Sequence, residues 1–276
     1  MKVIAKVLEV SRSNMYERLK QGGKRKPGHY KKREDEWMVP MIRSVIDKHV
    51  TYGYPRTTAV LRKELLSSGK EPVNEKRVYR IMKEHDLCLE RHTGKRTLTH
   101  TGKIITLKSN LRWCSDIMNI NCWNGDRVSV VFSLDCCDRE AMKYISTSRG
   151  IDGEMIRDLM METVEYRFGK VEKVPHPIQW LSDNGPQFTA HETIAFGRRL
   201  GLEICTTPSY SPESSGMAEA FVKTFKRDYV YVNDLSNAET VMRQLPIWFE
   251  EYNETAPHKG LKMMPPRAFR RQQLAG

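Results

Sequence analysis

The chain has 276 residues, 39% hydrophobic and 29% charged, with a formal net charge of +12. That length suits one large domain or two modest ones with real cores. The composition excludes a disordered polyelectrolyte, and no run of 18 apolar residues is present to span a bilayer.

The first nine residues break their apolar positions with charges too often for a secretion signal. Six cysteines, two of them adjacent at Cys136 and Cys137, do not make a disulfide framework and read as reduced and cytosolic. The charge is uneven. Residues 1–110 carry 26 basic and 12 acidic side chains, and residues 111–276 carry 20 and 22. A basic front on a near-neutral back is the electrostatic footprint of a phosphate backbone. A solvated basic surface is the plainer alternative.

Val3, Ile4, Val7 and Leu8 repeat at helix spacing. Ser11 or Ser13 can cap a second helix that turns Met15 and Leu19 inward. Residues 1–22 thus read as a partial helix-turn-helix, too short to fold alone. The Gly- and Lys-rich stretch 22–28 follows as a flexible basic linker. Trp37, Met38, Met41, Ile42, Val45 and Ile46 form one apolar stripe, interrupted at Tyr52-Gly53-Tyr54-Pro55. Helical spacing resumes over 56–66 and stops near Gly69. Asn74 caps a third helix with Val78, Ile81 and Met82 inside. Lys76, Arg80 and Lys83 line one side of it, with Arg77 beside them. That side could enter a major groove, so residues 30–90 read as a helical DNA-binding domain. His85, Cys88, His92 and His100 lack the paired spacing of a zinc site. Residues 91–109, rich in Thr, Lys and Arg, read as a basic linker.

Behind the linker, residues 110–276 read as one α/β unit with a helical tail. Strands are expected at 111–121, 127–134, 142–147, 178–181 and 202–206, with a hairpin turn at Asn124-Gly125. Helices are expected at 151–168, 191–200, 216–230 and 238–252. Three consecutive strands followed by alternating helix and strand give a mixed sheet with flanking helices.

Asp116 lies mid-strand, Asp183 follows a strand at a Gly-containing turn, and Glu219 starts a helix between Ala218 and Ala220. An acid in an apolar strand is costly unless compensated. Three converging carboxylates repel one another and so imply a cation; oxygen-only ligands favour Mg²⁺ or Mn²⁺. Two such ions suit in-line phosphoryl displacement. Pairing of each acid with a local Arg or Lys is the alternative, and spacing alone does not choose among Asp126, Asp135, Asp138 and Glu213.

Between Asp183 and Glu219 lie 35 residues. With Asp116 upstream, this resembles the Asp-Asp-(35)-Glu core of retroviral integrases and related transposases. Trp113-x-x-Asp116, Asp183-Asn184-Gly185-x-x-Phe188 and Ser211-Pro212-x-x-x-Gly216-x-x-Glu219 are similar to motifs of the insertion sequence three family. So is the tail, with Tyr252-Asn253, Pro257-His258-x-x-Leu261 and Pro266-Arg267-x-Phe269. The match is to the second-frame (orfB) product. Residues 134–140 and 77–82 resemble the insertion sequence two branch. Ser215 departs from the family's usual Asn.

The resemblance implies a ribonuclease-H-like fold preceded by a small all-α helix-turn-helix domain, in a cytoplasmic, nucleoid-associated bacterial protein. It implies a DNA transposase in which Asp116, Asp183 and Glu219 hold two Mg²⁺ ions (Mn²⁺ as the substitute). In such an enzyme water would be activated to nick a transposon end, and the freed 3′-hydroxyl would attack another phosphodiester, with no covalent protein–DNA intermediate. It implies a circular DNA intermediate, a homo-oligomer on DNA, and fusion to an upstream reading-frame product. Lys226, with Lys223 and Arg227 near it, is implied as a phosphate contact; for Lys223 a surface pair with Glu219 is the alternative. Two rival functions remain: a non-catalytic DNA-binding regulator, and a ribonuclease-H-like nuclease that cuts without joining.

Overall fold

The computed structural model describes residues 35–89, 106, 108–206 and 212–275, the side chains of 212–215 excepted. The expected elements in residues 1–22, and nearly all of the expected linker at 91–109, lie outside the described residues.

The front unit has three helices, α1 (Met38–Lys48), α2 (Tyr54–Ser67) and α3 (Glu75–Glu84). Their apolar stripes close on one core of Met38, Ile42, Val45, Leu61, Leu65, Val78, Ile81 and Met82. The Asn74 side chain accepts from Lys76 N at 2.9 Å and caps α3 as the sequence predicts. Pro55, expected to break the chain before α2, is instead inside its first turn. There its missing N–H costs no hydrogen bond.

The back unit is a five-stranded sheet, β1 (Arg112–Asn121), β2 (Arg127–Asp135), β3 (Ala141–Thr147), β4 (Ile178–Ser182) and β5 (Leu202–Thr206). The strand order is β3-β2-β1-β4-β5. β1, β2 and β3 form an antiparallel meander, and β4 and β5 run parallel to β1. Among the described residues of the β1–β2 hairpin only Gly125 takes a positive φ, +91°. The connection is therefore a wider loop over residues 122–126 rather than a two-residue turn.

Alternation along the strands divides the core in two. Trp113, Val131, Ile178 and Trp180 face α4 (Gly153–Phe168) and α6 (His191–Arg199). Cys114, Met118, Val130 and Phe132 face α7 (Pro212–Phe225) and α8 (Ala238–Glu254). The helix expected from residue 216 thus begins at Pro212. A short α5 (Pro186–Thr189) and a terminal α9 (Pro266–Ala275) complete the fold. No helix among the described residues is long and apolar enough to cross a membrane.

The tail motif has a structural role at β3. The Asn253 side chain accepts from Ala141 N at 3.0 Å and donates to Ala141 O at 2.9 Å. It acts as a piece of strand backbone where the β2–β3 register shifts past Ser133. Asn253→Ala is expected to cost about 2–4 kcal/mol, since two buried backbone groups lose their partners. Denaturant unfolding measures it; a loss under about 0.5 kcal/mol would show that β3 satisfies itself elsewhere.

Candidate active site and nucleic-acid interface

β1 and β4 are paired side by side, Trp113 with Trp180 and Cys114 with Leu181. Two residues further on each chain come Asp116 and Asp183. Asp116 shares the face of Cys114, which is the α7 side, and Asp183 directly follows Ser182, the last residue of β4. Asp116 lies opposite Phe132 of β2. Phe132 meets Phe221 of α7 with ring centroids 4.5 Å apart. Ala218 is buried in the same core. Glu219, between these anchors, therefore belongs to the stretch of α7 seated beside Asp116.

The three acids differ in setting. Asp116 is half-buried and accepts from Ile117 N at 2.8 Å. Burial, then the nearby charges of Asp183 and Glu219, push its carboxyl up to about 6. Asp183 is exposed and accepts from Gly185 N at 3.0 Å. A Cβ on Gly185 would stand 2.6 Å from Gln187 Nε2 and 3.0 Å from Asp183 Oδ1, so a side chain there would displace the Gln187 amide and crowd the acid. Glu219 is held by Lys223 at 3.2 Å on the helix surface. Asp116 thus feels both other acids, but no three metal-ligating side chains among the described residues stand close enough to hold an ion. The donor set suits a hard divalent cation: all oxygen, mutually repelling, with one acid pushed up by its neighbours.

The competing acids have other work. Asp135 Oδ2 accepts from Asn110 N and Trp113 Nε1, so Trp113 of the Trp-x-x-Asp motif anchors the far face of β1. Arg167 Nη2 reaches both Asp138 oxygens at 3.2 and 3.1 Å. Its Nη1 lies 3.0 Å from Glu140 Oε2, close enough for an ion pair but without hydrogen-bond alignment. Asp126 closes the hairpin, accepting from Asn124 Nδ2 and Ala238 N. The side chains of Glu213 and Ser215 are outside the described residues.

The expected DNA contacts divide as sharply. On α3, Lys76 and Lys83 are exposed. Arg77 donates to Asp35 Oδ1 at 2.7 Å, and Arg80 pairs with Asp35 Oδ2. Asp35 is buried, so these two arginines fasten the start of the helical unit. An open cleft of about 660 Å³ lies at the N-terminal end of α3, lined by Tyr54, Arg62, Asn74, Lys76 and Tyr79 among others. Arg227 is spent on Asp228, with Nε at 2.6 Å and Nη2 at 2.8 Å. Lys226 is different. Burial and then the Arg127 charge hold its amine below the usual lysine range. Neither cation has an ion-pair partner among the described residues. Arg127 was not singled out from sequence, since only the register placing it opposite Asn121 brings it to this end of the sheet.

Models of known families match the two units in turn. The HTH-like domain matches residues 32–95, and two integrase core domain models match 107–212 and 200–266. The chain is 41% identical over 276 residues to the transposase InsD for insertion element IS2A/D/F/H/I/K of Escherichia coli, covering 98% of this chain and 91% of that protein. The chain belongs to the InsD transposase family of insertion element IS2. The IS2-9 transposase InsD of E. coli K12 is equally similar, with 89% of its length covered. Among solved structures, the catalytic core of BIV integrase aligns at TM-score 0.40 and 18% identity, over 60% of this chain and 97% of that one. The HTLV-2 integrase core solved with magnesium aligns at TM-score 0.45 and 13% identity, over 60% and 99%. The chain is thus a transposase, with an integrase core behind an HTH-like unit.

Proposed function

We propose that Asp116, Asp183 and Glu219 are the catalytic carboxylates of this transposase, an Asp-Asp-Glu polynucleotidyl transferase that nicks element ends and joins the 3′-hydroxyl to target DNA. The observation that carries this reading is the placement of Asp116 on β1 and Asp183 just past the end of the adjacent parallel β4, both near enough with Glu219 for Asp116 to feel the other two charges. The same three residues would hold a divalent metal, Mg²⁺ or Mn²⁺. When bound, it would supply an activated oxygen nucleophile and stabilise the leaving oxygen. Lys223, 3.2 Å from Glu219, would be the cation beside that carboxylate nearest a bound DNA phosphate. The test incubates the protein with end DNA and Mg²⁺ and follows nicked and joined products separately. Nicking without joined product would favour the nuclease alternative; neither, with tight end binding, would favour a regulator.

The DNA would continue from the acids along α7 to Lys226, seven residues and about 10 Å away, where Arg127 adds a second unpaired cation. Lys226→Ala and Arg127→Ala should each weaken DNA binding on all sequences and reduce the salt slope by about 1. Arg80→Ala should instead lower the melting temperature of the helical unit by uncovering Asp35. Equilibrium binding across a salt series reads the first effect. An unchanged slope in both α7-side variants would remove them from the interface.

A further inference from the structure

The helical unit is fastened to the catalytic unit by a buried carboxylate on the continuation of the helix that carries Glu219. α7 continues into a π turn, Lys226–Val230, closed by Tyr231 N donating to Lys226 O at 2.9 Å. Asp228 sits in this turn with its side chain 5% exposed. Its Oδ1 accepts from the Thr51 hydroxyl at 2.6 Å and its Oδ2 from Arg56 Nη1 at 2.6 Å. Thr51 lies in the turn between α1 and α2, and Arg56 in the first turns of α2. Arg227 closes the carboxylate from its own chain neighbour.

The surroundings make this a socket. Tyr52 is buried, with Arg56 stacked over its ring at 5.0 Å. His49 stacks on the other side of the turn, 4.5 Å from Tyr52, and its Nδ1 lies 3.4 Å from Glu251 of α8. A buried carboxylate with charge-assisted donors from another unit is strongly directional. Breaking it removes the donors from the helical unit and leaves Arg227 alone to balance a buried carboxylate. Nine residues of one helix, about 13 Å, separate Glu219 from Asp228.

We propose that Asp228, gripped by Thr51 and Arg56, is the positioning residue that sets the distance between the DNA-reading helical unit and the catalytic acids, and thereby which phosphodiester is cut and joined. This rests on the proposed role of the three acids, with the HTH-like unit taken as the part that grips end DNA. The latch determines where the reaction occurs, and the acids determine whether it occurs. A misplacement on the order of 1 Å at a reacting centre costs up to about 100-fold, so a loosened latch should spread cuts to neighbouring phosphates.

The experiment uses the full chain, Asp228→Asn and Arg56→Gln, with Arg56→Lys as the conservative partner. Cut positions on end-labelled element DNA are mapped at nucleotide resolution, and metal-dependent nicking of plasmid lacking the ends is measured beside them. In the first two variants the share of cuts at the principal position should fall about tenfold relative to its neighbours. Plasmid nicking should stay within about twofold, and Arg56→Lys should restore much of the register. The double variant should be no worse than either single one, because both break the same contact. Solution scattering of the DNA-free chain gives an independent arm, with one compact distance distribution for the native protein and a broadened one for the variants. An unchanged cut position, or an unchanged scattering profile, in a folded variant overturns the latch. So does parallel loss of plasmid nicking, which would make Asp228 a general structural residue. If Asp228→Asn does not fold, Arg56→Gln, approached from the more exposed side, decides alone. If the native chain cuts nothing, the reading of the acids fails, while the scattering arm still judges the latch.

Discussion

Asp116→Asn is expected to abolish nicking and joining while making the metal-free protein more stable. Losing a carboxylate that holds the reacting metal removes several kcal/mol of transition-state stabilisation, on the order of 10³-fold or more in rate. The same substitution removes a charge that its surroundings resist. Burial, Asp183 and Glu219 together push Asp116 up to about 6, so a neutral amide there should gain about 1 kcal/mol. Glu219→Gln should lose activity as completely with little change in stability, because its exposed pair with Lys223 is worth under about 1 kcal/mol. Asp183→Asn should behave like Glu219→Gln. Mg²⁺ should raise the melting temperature of the native chain and fail to do so in all three variants. Thermal unfolding with and without Mg²⁺, beside the nicking assay, separates a catalytic carboxylate from a structural one. A structural acid would lose stability and activity together, and unchanged activity in any of the three would remove that residue from the site.

The strand and turn that carry Asp116 and Asp183 were readable because their pattern is local. Asp116 stands in a strand whose alternating apolar residues announce a buried face, and Asp183-Asn184-Gly185 announces a turn at a strand end. The Gly185 N–H donates to Asp183 and closes that turn on the acid. Pattern could not separate Asp116 from Asp135, since both lie in apolar strands; family resemblance made that choice. What separates them physically is the partner across space. Asp135 accepts from Trp113 and from the Asn110 N–H, whereas Asp116 feels the charges of Asp183 and Glu219. The basic residues were harder for the same reason. Arg77, Arg80 and Arg227 look identical to Lys76 and Lys226 in a helical projection, yet their charges are absorbed by Asp35 and Asp228, one of them 42 residues away in sequence. Tight contacts across 172 and 177 residues, such as those that seat Arg56 and Thr51 on Asp228, leave no periodic trace in either segment.

Arg167→Met should cost about 3–5 kcal/mol, a loss on the scale seen when one member of a buried ion cluster is removed. Arg167 ends α4 with its side chain fully buried against Asp135, Asp138 and Glu140, which are buried as completely. Arg267 and Arg270 of α9 also reach Glu140, so the cluster ties the end of β2, α4 and the terminal helix together. Its pH behaviour identifies the cause. Burial and then Asp135 push the Asp138 carboxyl up to about 6 even with Arg167 present. Stability from that group is complete near pH 4 and declines as pH rises through about 6. Glu140 moves the other way: burial raises it, but Arg167, Tyr166 and Arg267 outweigh burial and hold it below the usual range. Its stability is present at neutral pH and lost in acid. Removing Arg167 raises both carboxyls, so the penalty should be largest near about pH 7.5 and shrink near about pH 4.5. For a chain of this size it amounts to a fall of roughly 10 °C in melting temperature at neutral pH. Adding Asp138→Asn to Arg167→Met should recover part of the loss, since one stranded charge disappears. A penalty independent of pH would assign the loss to packing of the arginine stem instead.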